Sequence, residues 1–155
     1  MGIAELIAAV AAVAVSIWGV SRRATVTADA TIDLTNFISV VVQAGRNAVT
    51  VLSVRAVVSE RPGKKPGDSA IVLNVSDPAF AGPVQLDTKQ SALFGLTLKM
   101  DAQLLPTSDG SALESRPPNR GEIWVRIDYG KNAKMFVQAK PFDGVLEQPV
   151  NTGGG

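Results

Sequence analysis

The sequence predicts a mainly β fold, an antiparallel β-sandwich or small barrel of seven to eight strands, preceded by one N-terminal hydrophobic helix. Three observations carry this expectation. Residues 25–34, "TVTADATIDL", alternate polar and apolar side chains without a break, the period of a half-buried strand. Short runs rich in Val, Ile and Leu then recur with Gly and Pro punctuation between them, as in sandwiches and small barrels. The first 23 residues differ from all of this, because Leu6 to Val20 carries no charge and Ser16 is its only polar side chain.

The N-terminal segment divides the chain into residues 1–23, a β-domain at 24–142 and a tail at 143–155 that reads as flexible. Fifteen helical residues rise about 22 Å, and Ile3 and Ala4 extend the run toward the roughly 30 Å of a bilayer core. Trp18 precedes Arg22 and Arg23 as an interfacial ring precedes headgroup-level cations. "MGIAE" has a Glu and no basic residue, unlike the start of a cleaved signal peptide. The expected location is therefore a cell membrane crossed once. The two arginines after the span place the β-domain on the cytoplasmic side. The alternative is a helix packed in protein, within a virion or an extracellular filament. Ala4, Ala8, Ala12 and Ser16 recur every four residues, a small-residue stripe along which two helices can approach and self-associate.

In the body, the first strand runs over 25–34, with Asp29 and Asp33 on its polar face and expected in water. "FISVVVQA" and "AVTVLSVRAVVS" read as a hairpin in which Gly45 supplies a positive φ. "ERPGKKPGD" breaks the pattern. "AIVLNV" and "VQLD" are shorter strand candidates joined through "SDPAFAGP". Ala92 to Met100 is a further strand, with Gly95 marking a bulge or a close approach. Asp101 to Gly121 reads as the longest irregular stretch. "EIWVRIDY" and "KMFVQAK" form the last hairpin, turning at Gly130 to Ala133.

Composition narrows the chemistry. With no Cys and no His, disulfides, zinc sites of the usual ligand set and His-activated nucleophiles are excluded. Of 15 basic and 14 acidic side chains, setting aside Arg22, Arg23 and Glu5 leaves 13 of each. A neutral domain lacks the basic footprint of nucleic-acid binding, so none is expected. The eight aromatic residues predict a core of small and β-branched side chains.

Candidate sites are few. Asp29 and Asp33 lie four residues apart with no third carboxylate partner. "TSDGS" offers Ser108, Asp109 and Ser111 as oxygen ligands for calcium, but too few carboxylates for such a loop, and reads as an Asx-type turn. "RPGKKPG" puts Arg61, Lys64 and Lys65 on one loop, either a solvated tip or a contact for anionic headgroups. "RPPNRG" offers Arg116, Pro117, Pro118 and Arg120 as a stiff extended segment for a protein partner. No cofactor, metal or catalytic group is implied.

The segments "VVVQAGRNAVTVLSVRAVV", "GPVQLDTKQSALFGLTL" and "IWVRIDYGKNAKMFV" resemble small bacterial β-sandwich proteins, immunoglobulin-like in architecture. These carry an N-terminal membrane helix and have no assigned activity. "AELIAAVAAVAV" resembles the apolar N-terminal helix of pilin-like subunits, which precedes a β-sandwich. The resemblances imply a non-catalytic, membrane-anchored accessory subunit of an envelope complex, partnered by lipid and protein. The alternative they imply is a structural subunit of a homo-oligomeric assembly.

Overall fold

The computed structural model describes residues 25–76 and 82–143. The expected N-terminal helix with Ala4, Ala8, Ala12, Ser16, Trp18, Arg22 and Arg23, part of "SDPAFAGP", and the expected tail from 144 lie outside the described residues. Among the described residues no helix is long and apolar enough to cross a membrane.

Among the described residues ten strands follow in chain order: β1 Val26–Ile32, β2 Phe37–Ala44, β3 Val49–Val58, β4 Ile71–Val72, β5 Val84–Leu86, β6 Ser91–Thr97, β7 Gln103–Pro106, β8 Leu113–Arg116, β9 Ile123–Tyr129 and β10 Ala133–Pro141. A 3-10 turn, Arg120–Glu122, leads into β9. Eight strands form one sheet in the order β4-β3-β9-β10-β1-β2-β6, with β5 also on β3, and β7 and β8 pair separately. The large sheet curls into a half-barrel.

The curl is organised by β10. Ala133 to Gln138 pairs antiparallel with β9, and Ala139 to Pro141 then pairs parallel with β1. One strand thus joins β3 and β9 to β1, β2 and β6. Alternate residues point inward on each side: Ile38, Val40 and Val42 of β2, Val54, Ala56 and Val58 of β3, and Ile123, Val125 and Ile127 of β9 are all buried in one core. Aliphatic and β-branched side chains fill it, and they suit a pleated, closely packed surface.

The outer face is polar where strands pair closely. Arg55 and Arg126 stand directly opposite across β3 and β9, an unfavourable like-charge pair. Asp128 offsets it: its Oδ2 accepts from Ser53 Oγ at 2.6 Å and Arg55 Nη2 at 2.9 Å, and its Oδ1 from Arg126 Nε at 3.1 Å. Burial works against the Asp128 charge, but these donors outweigh it and hold the carboxyl below its ordinary range.

Four expectations are corrected. First, β1 ends at Ile32, and Asp33 is 0 % exposed while Leu34 is 55 % exposed. The alternation inverts because the chain turns there, with Asn36 at φ +63°. Asp33 Oδ1 accepts from Thr35 N at 2.8 Å, Thr35 Oγ1 at 2.6 Å and Phe37 N at 3.1 Å, so the carboxylate closes the turn instead of facing water. Second, β2 and β3 are not a hairpin. β2 lies between β1 and β6, and β3 pairs with β9, β4 and β5. Third, Gly45 has no positive φ; it is needed for close approach, since a Cβ there would lie 2.9 Å from Thr25 Cβ. Its N–H donates to Thr25 O at 2.8 Å and its carbonyl accepts from Lys89 N at 2.9 Å, which pins the crossing loop. Fourth, Asp101 to Gly121 holds the β7–β8 pair. Gln103–Pro106 and Leu113–Arg116 are too short and too interrupted by Pro and charge to show a clear period.

Other expectations hold locally. The β9–β10 hairpin turns through Gly130 at φ +60° and Asn132 at φ +67°. Gly95 keeps an unbroken register opposite Ser39, so it is no bulge; a Cβ there would lie 2.6 Å from Phe37 Cζ.

Two substitutions test this account. Asp33→Ala removes three hydrogen bonds to one buried carboxylate, and urea unfolding should show a loss of about 2–4 kcal/mol, with Asp33→Asn recovering part of it. Gly95→Ala overpacks Phe37 and should cost about 1–3 kcal/mol. Adding Phe37→Leu should make the double variant lose less than the two single losses together.

Candidate functional site

The two loops singled out from the sequence meet in space. In the first, Ser59 Oγ accepts from Arg61 N at 3.0 Å and donates to Arg61 O at 2.9 Å. Lys64 N donates to Arg61 O at 3.0 Å, closing a turn in which Pro62 sets φ and Gly63 adopts φ +77°. Glu60 Oε1 accepts from Gly67 N at 3.0 Å and staples the base of the loop, and that bond lowers the Glu60 pKa.

In the second, "TSDGS" forms the β7–β8 tip. Asp109 Oδ1 accepts from Thr107 Oγ1 at 2.6 Å, Ser111 Oγ at 2.8 Å and Ser111 N at 3.0 Å. Chiefly the Thr107 hydroxyl, then the Ser111 donors, bring its pKa down to about 2. The oxygen set is thus turned on itself as an Asx-type turn. Gly110, at φ +75°, lies against the first loop, since a Cβ there would be 3.2 Å from Pro62 Cδ. Small residues at both tips allow the contact.

Between them lies a groove of about 440 Å³. Its floor is the outer face of β9 and β10, where Trp124 and Gln138 are register partners. Val58, Ser59, Pro62, Gly63 and Lys64 form one wall. Pro106, Thr107, Ser108, Glu114 and Arg116 form the other, and Asn119, Gly121 and Glu122 close one end.

Arg116 holds the second wall in place. Its Nη1 and Nη2 donate to Glu122 Oε2 at 2.6 Å and Oε1 at 2.9 Å, a bidentate pair. Nη2 also donates to Pro106 O at 2.8 Å, and Nε lies 3.2 Å from Glu114 Oε2. Glu122 Oε2 accepts from Asn119 N at 2.7 Å. Burial opposes the Glu122 charge, but Arg116 and the Asn119 N–H outweigh it and keep the carboxyl below its ordinary 4.5. Glu122 is therefore anionic at neutral pH, and both carboxylates of the groove pair with one guanidinium, an arrangement that fixes shape.

Of the residues singled out from the sequence, Lys64 and Arg116 come together at the groove. Arg61 turns its guanidinium to Lys65 O at 2.9 Å, and Lys65 is exposed. Pro117 is exposed and its carbonyl accepts from Arg116 Nη1 at 3.2 Å, while Pro118 is buried. Arg120 points elsewhere: its Nη2 donates to Ile32 O at 3.1 Å and Phe142 O at 2.9 Å, strapping the ends of β1 and β10. Asp29 is exposed beside Lys140, apart from buried Asp33. Among the described residues no three carboxylates gather as a metal site.

Trp124 and Gln138 were not singled out. The signal for Trp124 was present in "IWVRIDY": Ile123, Val125 and Ile127 hold the inward phase, so the tryptophan stands on the outward one. A large aromatic on the outward phase of a strand supplies apolar area at the surface.

The Arg116–Glu122 pair predicts a pH signature. Glu122 has a depressed folded pKa, so its contribution is complete above 4.5 and is lost as the pH falls through the lower folded value. Arg116→Ala should cost about 1–3 kcal/mol at pH 7 by urea unfolding, and the gap from the native chain should narrow as the pH falls below 4.5. A gap that stays constant with pH would remove the ion pair from the explanation.

Comparison with known proteins finds no matching family model, no matching curated protein and no matching solved structure. The functional reading rests on the groove and on the sequence around it.

Proposed function

We propose that this chain is a non-catalytic, membrane-anchored β-domain that acts as a binding or accessory subunit of an envelope complex, with the groove as its docking face. One observation carries the reading: two loops about fifty residues apart in the chain are braced against each other around a Trp124 floor, with the groove's carboxylates held by Arg116. Clefts of a few hundred Å³ with an aromatic and a few fixed polar groups are binding sites, and Trp and Arg carry much of the energy at protein interfaces. The apolar run from Leu6 to Val20, with Trp18, Arg22 and Arg23 after it, supports the anchor. The shared core of the two halves joined by β10 supports the immunoglobulin-like sandwich as the finer description of the fold.

A second reading, a structural subunit of a homo-oligomeric assembly, draws on the β7–β8 pair. Leu104 and Leu113 are 61 % and 57 % exposed on one face of that projecting hairpin. Such side chains suit a contact between copies.

Fractionation separates the two. The accessory-subunit reading expects a carbonate-resistant membrane pool, and a photo-crosslinking residue at Ser108 should capture a different protein while one at Leu93, on β6 at the other end of the sheet order, should not. The assembly reading expects soluble particles by negative stain and crosslinks from Leu104 to the same chain.

A further inference from the structure

On the reading that Leu6 to Val20 is a membrane anchor, covalent geometry brings one end of the β-domain to the lipid surface. The chain from Val20 to Thr25 reaches at most about 18 Å, and that from Arg23 to Thr25 at most about 7 Å. With Arg22 and Arg23 at headgroup level, Thr25 lies within a Debye length of about 8 Å of that surface.

Three loops gather at the Thr25 end. β1 starts there beside the end of β2, and β10 starts on the other side because it runs parallel to β1. Gly45 N donates to Thr25 O at 2.8 Å, and Gly45 O accepts from Lys89 N at 2.9 Å. Thr88 Oγ1 donates to Arg46 O at 3.0 Å. Gly130 N donates to Thr50 O at 2.8 Å, which sets the β9–β10 turn against the start of β3. Loops 45–48, 87–90 and 130–132 are thus fixed at the end from which the chain leads back to Arg23.

Each of these loops carries one exposed cation, Arg46, Lys89 and Lys131, and Asp87 is their one carboxylate. Of the 13 basic and 13 acidic side chains after Arg23, the loops hold three and one, which leaves 10 and 12 for the rest. The positive charge of a neutral domain is therefore gathered at one end. No exposed large hydrophobic side chain accompanies it in the loops, so the end offers charge without an apolar wedge. The other basic loop, with Arg61, Lys64 and Lys65, leaves β3 at Val58, the opposite end of that strand from Val49, and carries Glu60 and Asp68.

We infer that this end of the β-domain, through Arg46, Lys89 and Lys131, docks on anionic lipid headgroups of the membrane that holds the anchor. The cytoplasmic leaflet supplies such headgroups, and each cation near it gains about fivefold in local population. β9 ends at Tyr129 by the lipid and begins beside Trp124, so docking turns the groove away from the membrane.

The chain has no Cys, so a single label can be placed at will. Ala48 is exposed in the Arg46 loop, and Leu34 is exposed beyond the far end of β1. Full-length Ala48→Cys and Leu34→Cys, each carrying a nitrobenzoxadiazole fluorophore, are reconstituted in vesicles of phosphatidylcholine alone or with roughly one-third phosphatidylglycerol, with a headgroup spin label as quencher in both leaflets. Quenching at position 48 should exceed that at 34 and rise about twofold with phosphatidylglycerol. The rise should vanish in about 1 M salt, where the Debye length falls to about 3 Å. Arg46→Glu with Lys131→Glu should abolish it, whereas Lys64→Glu with Lys65→Glu should leave it. All four are exposed loop positions outside the core. Quenching at 48 that ignores phosphatidylglycerol, or a rise that survives the Arg46 and Lys131 exchanges or is lost equally with those at Lys64 and Lys65, overturns the inference; carbonate-resistant flotation of the same vesicles then leaves the anchor standing. Protein that does not float in carbonate removes the anchor and the inference together.

Discussion

β10 has two partners in succession, and the rest of the architecture follows from that. Up to Gln138 it completes an antiparallel ladder with β9, and from Ala139 it runs parallel beside β1. The strand shared in this way joins its two neighbours within one curled sheet. The inner faces of β2 and β6 on one side and of β3 and β9 on the other must turn toward each other, where their Val, Ile and Leu side chains leave water together. The same strand carries Gln138 on its outer face, next to Trp124, so the element that curls the sheet also lays the floor of the groove.

Polar side chains then finish what the ladders leave open. Asp33 collects the donors of a tight turn, Asp109 those of the β7–β8 tip, and Asp128 separates two opposed arginines. Arg116 does the converse, gathering two carboxylates and a carbonyl, and Arg120 ties Ile32 O to Phe142 O. Each is a charged group with several partners at once, which is how charge is accommodated at partial burial. The groove inherits its shape from these fixed points: Glu114 and Glu122 are held by Arg116, and its charged lining sums to zero.

Legibility differed between elements for physical reasons. The alternation in residues 25–32 and the β9–β10 hairpin were readable because both a strand face and a tight turn are local properties. The β2–β3 connection was misread because a short Gly-containing loop is the same in sequence whether it closes a hairpin or crosses between the two halves of a curled sheet. Asp33 shows the same limit at one residue, since its place in the period says outward and only the turn to Phe37 brings its donors around it. Of the groove, the loops were visible as Pro, Gly and charge clusters, and Trp124 was visible as an aromatic out of phase. That Lys64 and Arg116 share one groove was not, because it depends on Gly110 meeting Pro62 across a gap of more than forty residues.

What the sequence determined by itself was the strand-forming character of the chain, its near-neutral charge, the absence of thiol and imidazole chemistry and the apolar run at its start. These depend on side-chain type and short-range period alone. Tertiary structure decided which strands pair, which of the charged residues are committed to one another, and which two loops enclose Trp124. Those depend on strand order, and strand order is settled by burying every inward face in one core at once.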